Sequence, residues 1–147
     1  MNSFILPKKA ARLVVLQRIE LVGIVLKKIR KLFGRYFFSN FITKYFLNSA
    51  KISDEYYKIM HDEFLTIKKF INNDDNLFLS IGAGVGGLEA IINQNLPSKN
   101  YYFIEKNYIS KKVKYGWTGK LISEAYNNLD IQKEFLILNH MNKYHNI

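Results

Sequence analysis

The sequence predicts an α/β fold built on a parallel sheet, and three observations carry that prediction. Short apolar runs at Leu77–Ile81 and Tyr101–Ile104 have the length and composition of strands buried in a parallel sheet. A glycine-rich turn and a helical segment, Leu88 to Ile92, separate them, as a crossover between parallel strands requires. Apolar residues before Leu77 recur at steps of three and four, so helices precede the sheet.

A chain of 147 residues, 48% of them apolar, is one domain of ordinary size with enough apolar surface for a core. Cysteine is absent, which excludes disulfides, thiolate metal sites and a cysteine nucleophile. The formal charge of +10 is unevenly placed. Met1 to Lys51 carries 11 Lys or Arg and one acid, Glu20, whereas Ile52 to Ile147 carries 11 Lys and 11 acids. The chain therefore divides into a basic amphipathic helical leader, residues 1–51, and a neutral globular segment, residues 52–147. With the charge confined to the leader, no specific nucleic-acid binding is expected.

In the leader, Val15, Ile19, Val22, Leu26, Ile29 and Phe33 alternate steps of four and three and predict one helix with an apolar stripe. Lys27, Lys28, Arg30, Lys31 and Arg35 lie mostly off that stripe. Gln17, Arg18 and Glu20 interrupt the apolar run well short of the roughly 20 residues a spanning helix needs. They also break the core of a secretory signal. Such a helix packs on its own domain or a partner, or lies on an anionic membrane surface. A targeting peptide fits less well, because Lys outnumbers Arg. The expectation is a cytoplasmic protein with peripheral membrane contact through residues 1–51. Tyr36, Phe37, Phe38, Phe41, Tyr45 and Phe46 suit an interfacial belt and buried packing equally.

A second helix is predicted from Ser53 as N-cap, with Asp54 and Glu55 in the first turn, where the helix dipole favours acids. Tyr56, Met60, Phe64, Ile67 and Ile71 form its buried stripe, and the polar run Asn72 to Asp75 ends it. The first strand then runs into Gly82-Ala83-Gly84-Val85-Gly86-Gly87. After the helix, Pro97 and Ser98 turn the chain into the second strand, which ends on Glu105.

Strand, glycine loop, helix, strand and terminal acid together form a nucleotide-cofactor unit. Glycines let the backbone approach a ligand, and the helix start presents free N–H groups. An acid at the end of the second strand can accept hydrogen bonds from both ribose hydroxyls. Glu105 lies 23 residues after Gly82, near the spacing of about 20 for that role. The loop fits two patterns. Gly82, Gly84 and Gly87 satisfy the dinucleotide pattern GxGxxG, and Gly82, Gly84 and Gly86 satisfy GxGxG.

From Leu77 to about Ile147, roughly half the chain, the sequence resembles bacterial class I S-adenosyl-L-methionine-dependent methyltransferases described as sugar O-methyltransferases. The resemblance is carried by the Ile81–Gly87 loop, Phe103-Ile104-Glu105-Lys106, Tyr115-Gly116-Trp117, Glu124-Ala125-Tyr126-Asn127-Asn128-Leu129 and Lys133-Glu134-Phe135-Leu136-Ile137-Leu138-Asn139. Members commonly carry an N-terminal helix beside the site, and here about 75 residues precede the first strand. The resemblance implies a Rossmann-like fold, S-adenosyl-L-methionine as cofactor, and methyl transfer to a hydroxyl of a saccharide or other small-molecule acceptor. It also implies that Gly82, Gly84 and Gly86 face the methionine moiety and Glu105 binds ribose. Ala83 in the same loop and Lys106 beside Glu105 join the cofactor-binding set. Asn107 and Tyr108 border the adenine or a solvated loop, and Tyr115 and Trp117 line the site or the core. The family has an acid two residues before the first glycine. This chain has Ser80 there, which brings no charge to the cofactor's ammonium group.

Ser123 to Leu138 reads as the second crossover helix, burying Ala125, Leu129 and Leu136, and Asn146 and Ile147 begin a third strand. Only two strands are clear, and a stable sheet usually needs three or more. The expectation is an incomplete fold, either a truncated product or one half of a split enzyme that a second polypeptide completes. Alone, the chain is expected to lack methyl-transfer activity. No general base and no metal site are identifiable, and His61, His140 and His145 receive no role. The rivals are an NAD(P)-binding oxidoreductase fragment, through Gly87, and a non-catalytic membrane- or partner-binding module.

Overall fold

A computed structural model describes residues 3–72, 74–97, 99–109 and 126–147. In chain order the elements are α1 (Lys8–Gln17), a 3-10 turn (Ile19–Leu21), α2 (Ile24–Phe37), a π-helical turn (Phe38–Ile42), α3 (Thr43–Tyr45) and α4 (Ser49–Ile67). A 3-10 turn (Lys68–Phe70), β1 (Leu77–Ile81), α5 (Gly87–Asn95), β2 (Asn100–Ile104), α6 (Leu129–Leu138) and β3 (Tyr144–Asn146) follow. The fold is mixed α/β around a three-stranded parallel sheet of order β1-β2-β3. No helix among the described residues is long and apolar enough to cross a membrane.

The leader is not one helix. Its predicted stripe is cut between Gln17 and Ile24, where Arg18 leaves the helical region (φ −128°, ψ 83°). Its guanidinium turns to Glu63 on α4 at 2.9 Å, so an interaction across the fold replaces the next helical turn. Val15 and Val22 are buried as the stripe requires, Ile19, Leu26 and Ile29 are partly buried, and Phe33 is exposed. α1 belongs to the core. Its Ala10, Ala11, Val14 and Val15 are fully buried, and the helix packs on α4 and α6. The division between residues 51 and 52 falls inside α4.

Tyr56, Met60 and Phe64 are buried as predicted, but α4 ends at Ile67, and Ile67 and Ile71 are only partly buried, Ile71 beyond a 3-10 turn. The start of α4 is a turn earlier than predicted. Asn48 is the N-cap and accepts from the Lys51 N–H at 3.1 Å. Ser53 instead lies within the helix and donates its buried hydroxyl to the Phe4 carbonyl at 2.6 Å. A serine can cap a helix or tie it to a neighbour, and here the tertiary bond wins.

In the sheet, Phe78 pairs with Tyr101 and Ser80 with Phe103, and the third strand joins β2 through Tyr101–Tyr144. Tyr101 and Phe103 share one core with Ala90 and Ile91 of α5 and Phe135 and Leu136 of α6. β1 was predicted to be buried on both faces, and it is not. Leu77 is 62% and Ile81 73% exposed, and Leu79 and Ile104 open to the same side. Both crossovers advance in the same direction across the sheet, and right-handed crossovers then place both helices on one face. α6 begins at Leu129 under an Asn128 cap that accepts from Ile131 N–H at 3.0 Å. Leu136 is buried as predicted and Leu129 only partly. Ala125, Tyr115 and Trp117 lie outside the described residues.

Candidate cofactor site

The glycine loop leaves the end of β1 with Gly82, Gly84 and Gly86 all at positive φ, 72°, 64° and 85°. At Gly84 the left-handed backbone alone disfavours any side chain. A Cβ there would collide with the Gln17 amide at the end of α1, which itself donates to the Tyr126 carbonyl at 2.6 Å. Gly84 N–H donates to Glu105 Oε2 at 2.7 Å, and its carbonyl accepts from Asn127 Nδ2 at 2.8 Å and Gln132 Nε2 at 2.7 Å. We expect Gly84→Ala to lower stability by about 1–3 kcal/mol, from left-handed strain and disturbed hydrogen bonds, read by thermal denaturation.

Above this loop lies a cavity of about 850 Å³. Ser80, Gly82, Ala83, Gly84, Glu105 and Lys106 all line it, so the structure brings together every predicted site residue except one. Gly86 is buried below the loop, at the start of α5, against Leu136. Asn107 and Tyr108 are exposed and lie off the cavity wall.

Sequence reasoning missed Glu89 and Tyr56. Glu89 sits in the first turn of α5, where an acid reads as a complement to the helix dipole and draws no further attention. Yet it is only 7% exposed, lines the cavity, and its carboxylate is hydrogen-bonded to Ser80 Oγ. A carboxylate from the next helix thus stands beside Ser80, before the glycine loop. Burial raises its pKa above the usual carboxylate range, the Ser80 hydroxyl opposes that, and the charges of Glu105 and Glu63 add to it. No cation pairs with it among the described residues. Tyr56 accepts the Gly87 N–H at 3.2 Å through a buried hydroxyl. Burial, then the neighbouring Glu89, keep that hydroxyl protonated by raising its pKa.

The cavity wall carries four carboxylates, Glu20, Glu63, Glu89 and Glu105, against two cations, Arg18 and Lys106. Arg18 is already paired with Glu63. Its chemistry therefore favours a ligand that brings positive charge and hydroxyl donors. Comparison of the chain with protein-family models, curated proteins and solved structures finds no match. The site must be read from its own atoms. Each glycine N–H of the loop is already taken: Gly82 by the Ile104 carbonyl, Gly84 by Glu105, Gly86 by the Ala83 carbonyl, Gly87 by Tyr56. A pyrophosphate held at a helix start needs such groups free. Among the described residues, no cluster of ligating side chains could hold a metal ion.

Proposed function

We propose that this chain carries the S-adenosyl-L-methionine-binding part of a class I methyltransferase with a Rossmann-like fold, acting on a hydroxyl of a saccharide or other small acceptor in the cytoplasm. The observation that carries the reading is the acidic cavity over a loop whose glycine N–H groups are internally satisfied. A sulfonium, an ammonium and two ribose hydroxyls suit carboxylate partners, whereas a dinucleotide pyrophosphate would meet buried Glu89. When bound, the cofactor supplies the electrophilic methyl group.

The chain's own residues bind and orient. Glu105 accepts from the ribose hydroxyls, and Glu89, steadied by Ser80, accepts from the ammonium group. Among the described residues, the outer edge of β1 is unpaired and one face of the sheet is open, which leaves room for a second polypeptide to complete such a fold. The chain alone is accordingly expected to bind cofactor without turning it over.

Calorimetric titration tests this. S-adenosylhomocysteine is expected to bind, NAD not to compete, and Glu105→Ala to weaken binding at least about tenfold, the scale of a charge-assisted hydrogen bond. Binding of NAD in place of S-adenosylhomocysteine would overturn the reading.

A further inference from the structure

The segment from Ile24 to Phe46 takes no part in the site, and its exposed side chains are unlike those of an ordinary surface. Phe33, Phe37, Phe41 and Tyr45 form a continuous ladder, with ring centroids 5.3, 5.2 and 5.3 Å apart, and Phe46 joins it at 5.7 Å from Phe41. The ladder opens to solvent: Phe33 is 58%, Tyr45 63% and Phe46 60% exposed. Steps of four residues drift around an α-helix of 3.6 residues per turn. Two features hold the rings together despite that drift. α2 breaks its helical path at Gly34 (φ 82°, ψ 166°), and the turn Phe38–Ile42 is π-helical, wider than an α turn.

The segment that carries the ladder is strongly basic. Ile24, Lys28 and Leu32 follow at steps of four along the exposed side of α2, which interleaves a lysine with apolar residues. Lys27, Lys31 and Lys44 are exposed as well, and no Asp or Glu occurs between Glu20 and Asp54. An apolar groove of about 220 Å³ lies between Val22–Leu26 and Phe46–Ile52, with Lys51 on its wall. The five rings form a contiguous exposed apolar surface, a feature that marks interaction sites on monomeric proteins.

We propose that this face is an interfacial membrane-binding surface for anionic lipid. The aromatic ladder enters the boundary between headgroups and acyl chains, and the lysines of the same segment meet lipid phosphates. Charge complementarity selects this occupant. A lysine set among apolar side chains can lay its stem in the apolar layer and raise its ammonium to the phosphates. A protein partner would instead have to cover those charges.

The test is cosedimentation of the full chain with vesicles of phosphatidylcholine alone or mixed with phosphatidylglycerol, and it does not depend on the methyltransferase reading. Binding is expected with the anionic vesicles, falling at high salt. The exposed double variant Phe33→Ser/Phe41→Ser should reduce partitioning about tenfold or more. Lys27→Gln/Lys28→Gln/Lys31→Gln should remove the preference for anionic lipid. Circular dichroism of both variants should match the native chain. Absence of binding to anionic vesicles, or binding unchanged by the aromatic variant, overturns the proposal. So does a dimer in sedimentation velocity that the aromatic variant dissociates, since a second copy would then be the occupant.

Discussion

Glu89→Gln is expected to bind S-adenosylhomocysteine about ten- to a hundred-fold more weakly than the native chain while the apo protein becomes more stable. The loss is that of one charge-assisted hydrogen bond, about 1.5–3 kcal/mol. 5′-Methylthioadenosine lacks the ammonium group, so its affinity should hardly change. The gain in apo stability follows from linkage. Glu89 is buried, and its folded pKa is raised above the unfolded value. The folded state then holds the proton more tightly, so native stability falls as pH rises from the ordinary carboxylate pKa to the raised one, and stays reduced above it. Glutamine removes that penalty and the matching part of the pH slope. Thermal denaturation across this pH range reads the slope, and calorimetry reads the affinity. A variant with unchanged affinity for S-adenosylhomocysteine would take Glu89 out of the site. A native chain that binds neither ligand would instead remove the cofactor reading itself.

Phe135→Ala should lose about 3–5 kcal/mol, the range for deleting a buried aromatic ring. Phe135 is fully buried and meets Phe4 edge-on at 5.2 Å, with Tyr56 at 6.5 Å. One ring thus joins the N-terminal segment, α4 and α6, and the hole it leaves cannot be refilled from one side. Against a typical total of about 5–15 kcal/mol, this is a large share. Urea denaturation should show a lower midpoint with little change in slope. Phe135→Leu keeps most of the volume and should lose less than about 2 kcal/mol. Because Tyr56 carries the Gly87 N–H, the alanine variant should also bind ligand more weakly.

Much of this was legible in the sequence. The first two strands, the glycine turn and the acid at Glu105 are local patterns, and they appear where expected, whereas the third strand, expected to begin at Asn146, runs from Tyr144 and ends at Asn146. The periodic stripe of α4 was equally readable, because burial of Tyr56, Met60 and Phe64 depends on helical spacing alone. What failed depended on distant residues. The break at Arg18 answers to Glu63, and the misplaced cap at Ser53 answers to the Phe4 carbonyl. Glu89 was invisible for the same reason. Its partner Ser80 is nine positions back and meets it only because strand and helix fold over the loop. The one signal was chemical: an acid closing a glycine loop in a chain that lacks the acid expected before it.

The uncovered strand β1 has a consequence for handling the molecule. Its five residues, Leu-Phe-Leu-Ser-Ile, contain no charge and no proline, and among the described residues only β2 pairs with it. Sheet proteins usually guard such a border with a lysine, a bulge or a proline, because unsatisfied backbone groups recruit any extended peptide that drifts past. Here the border is unguarded and the adjoining surface is greasy. In concentrated solution, clumping through Leu77–Ile81 should therefore set in, and Leu79→Lys would be the least invasive way to suppress it.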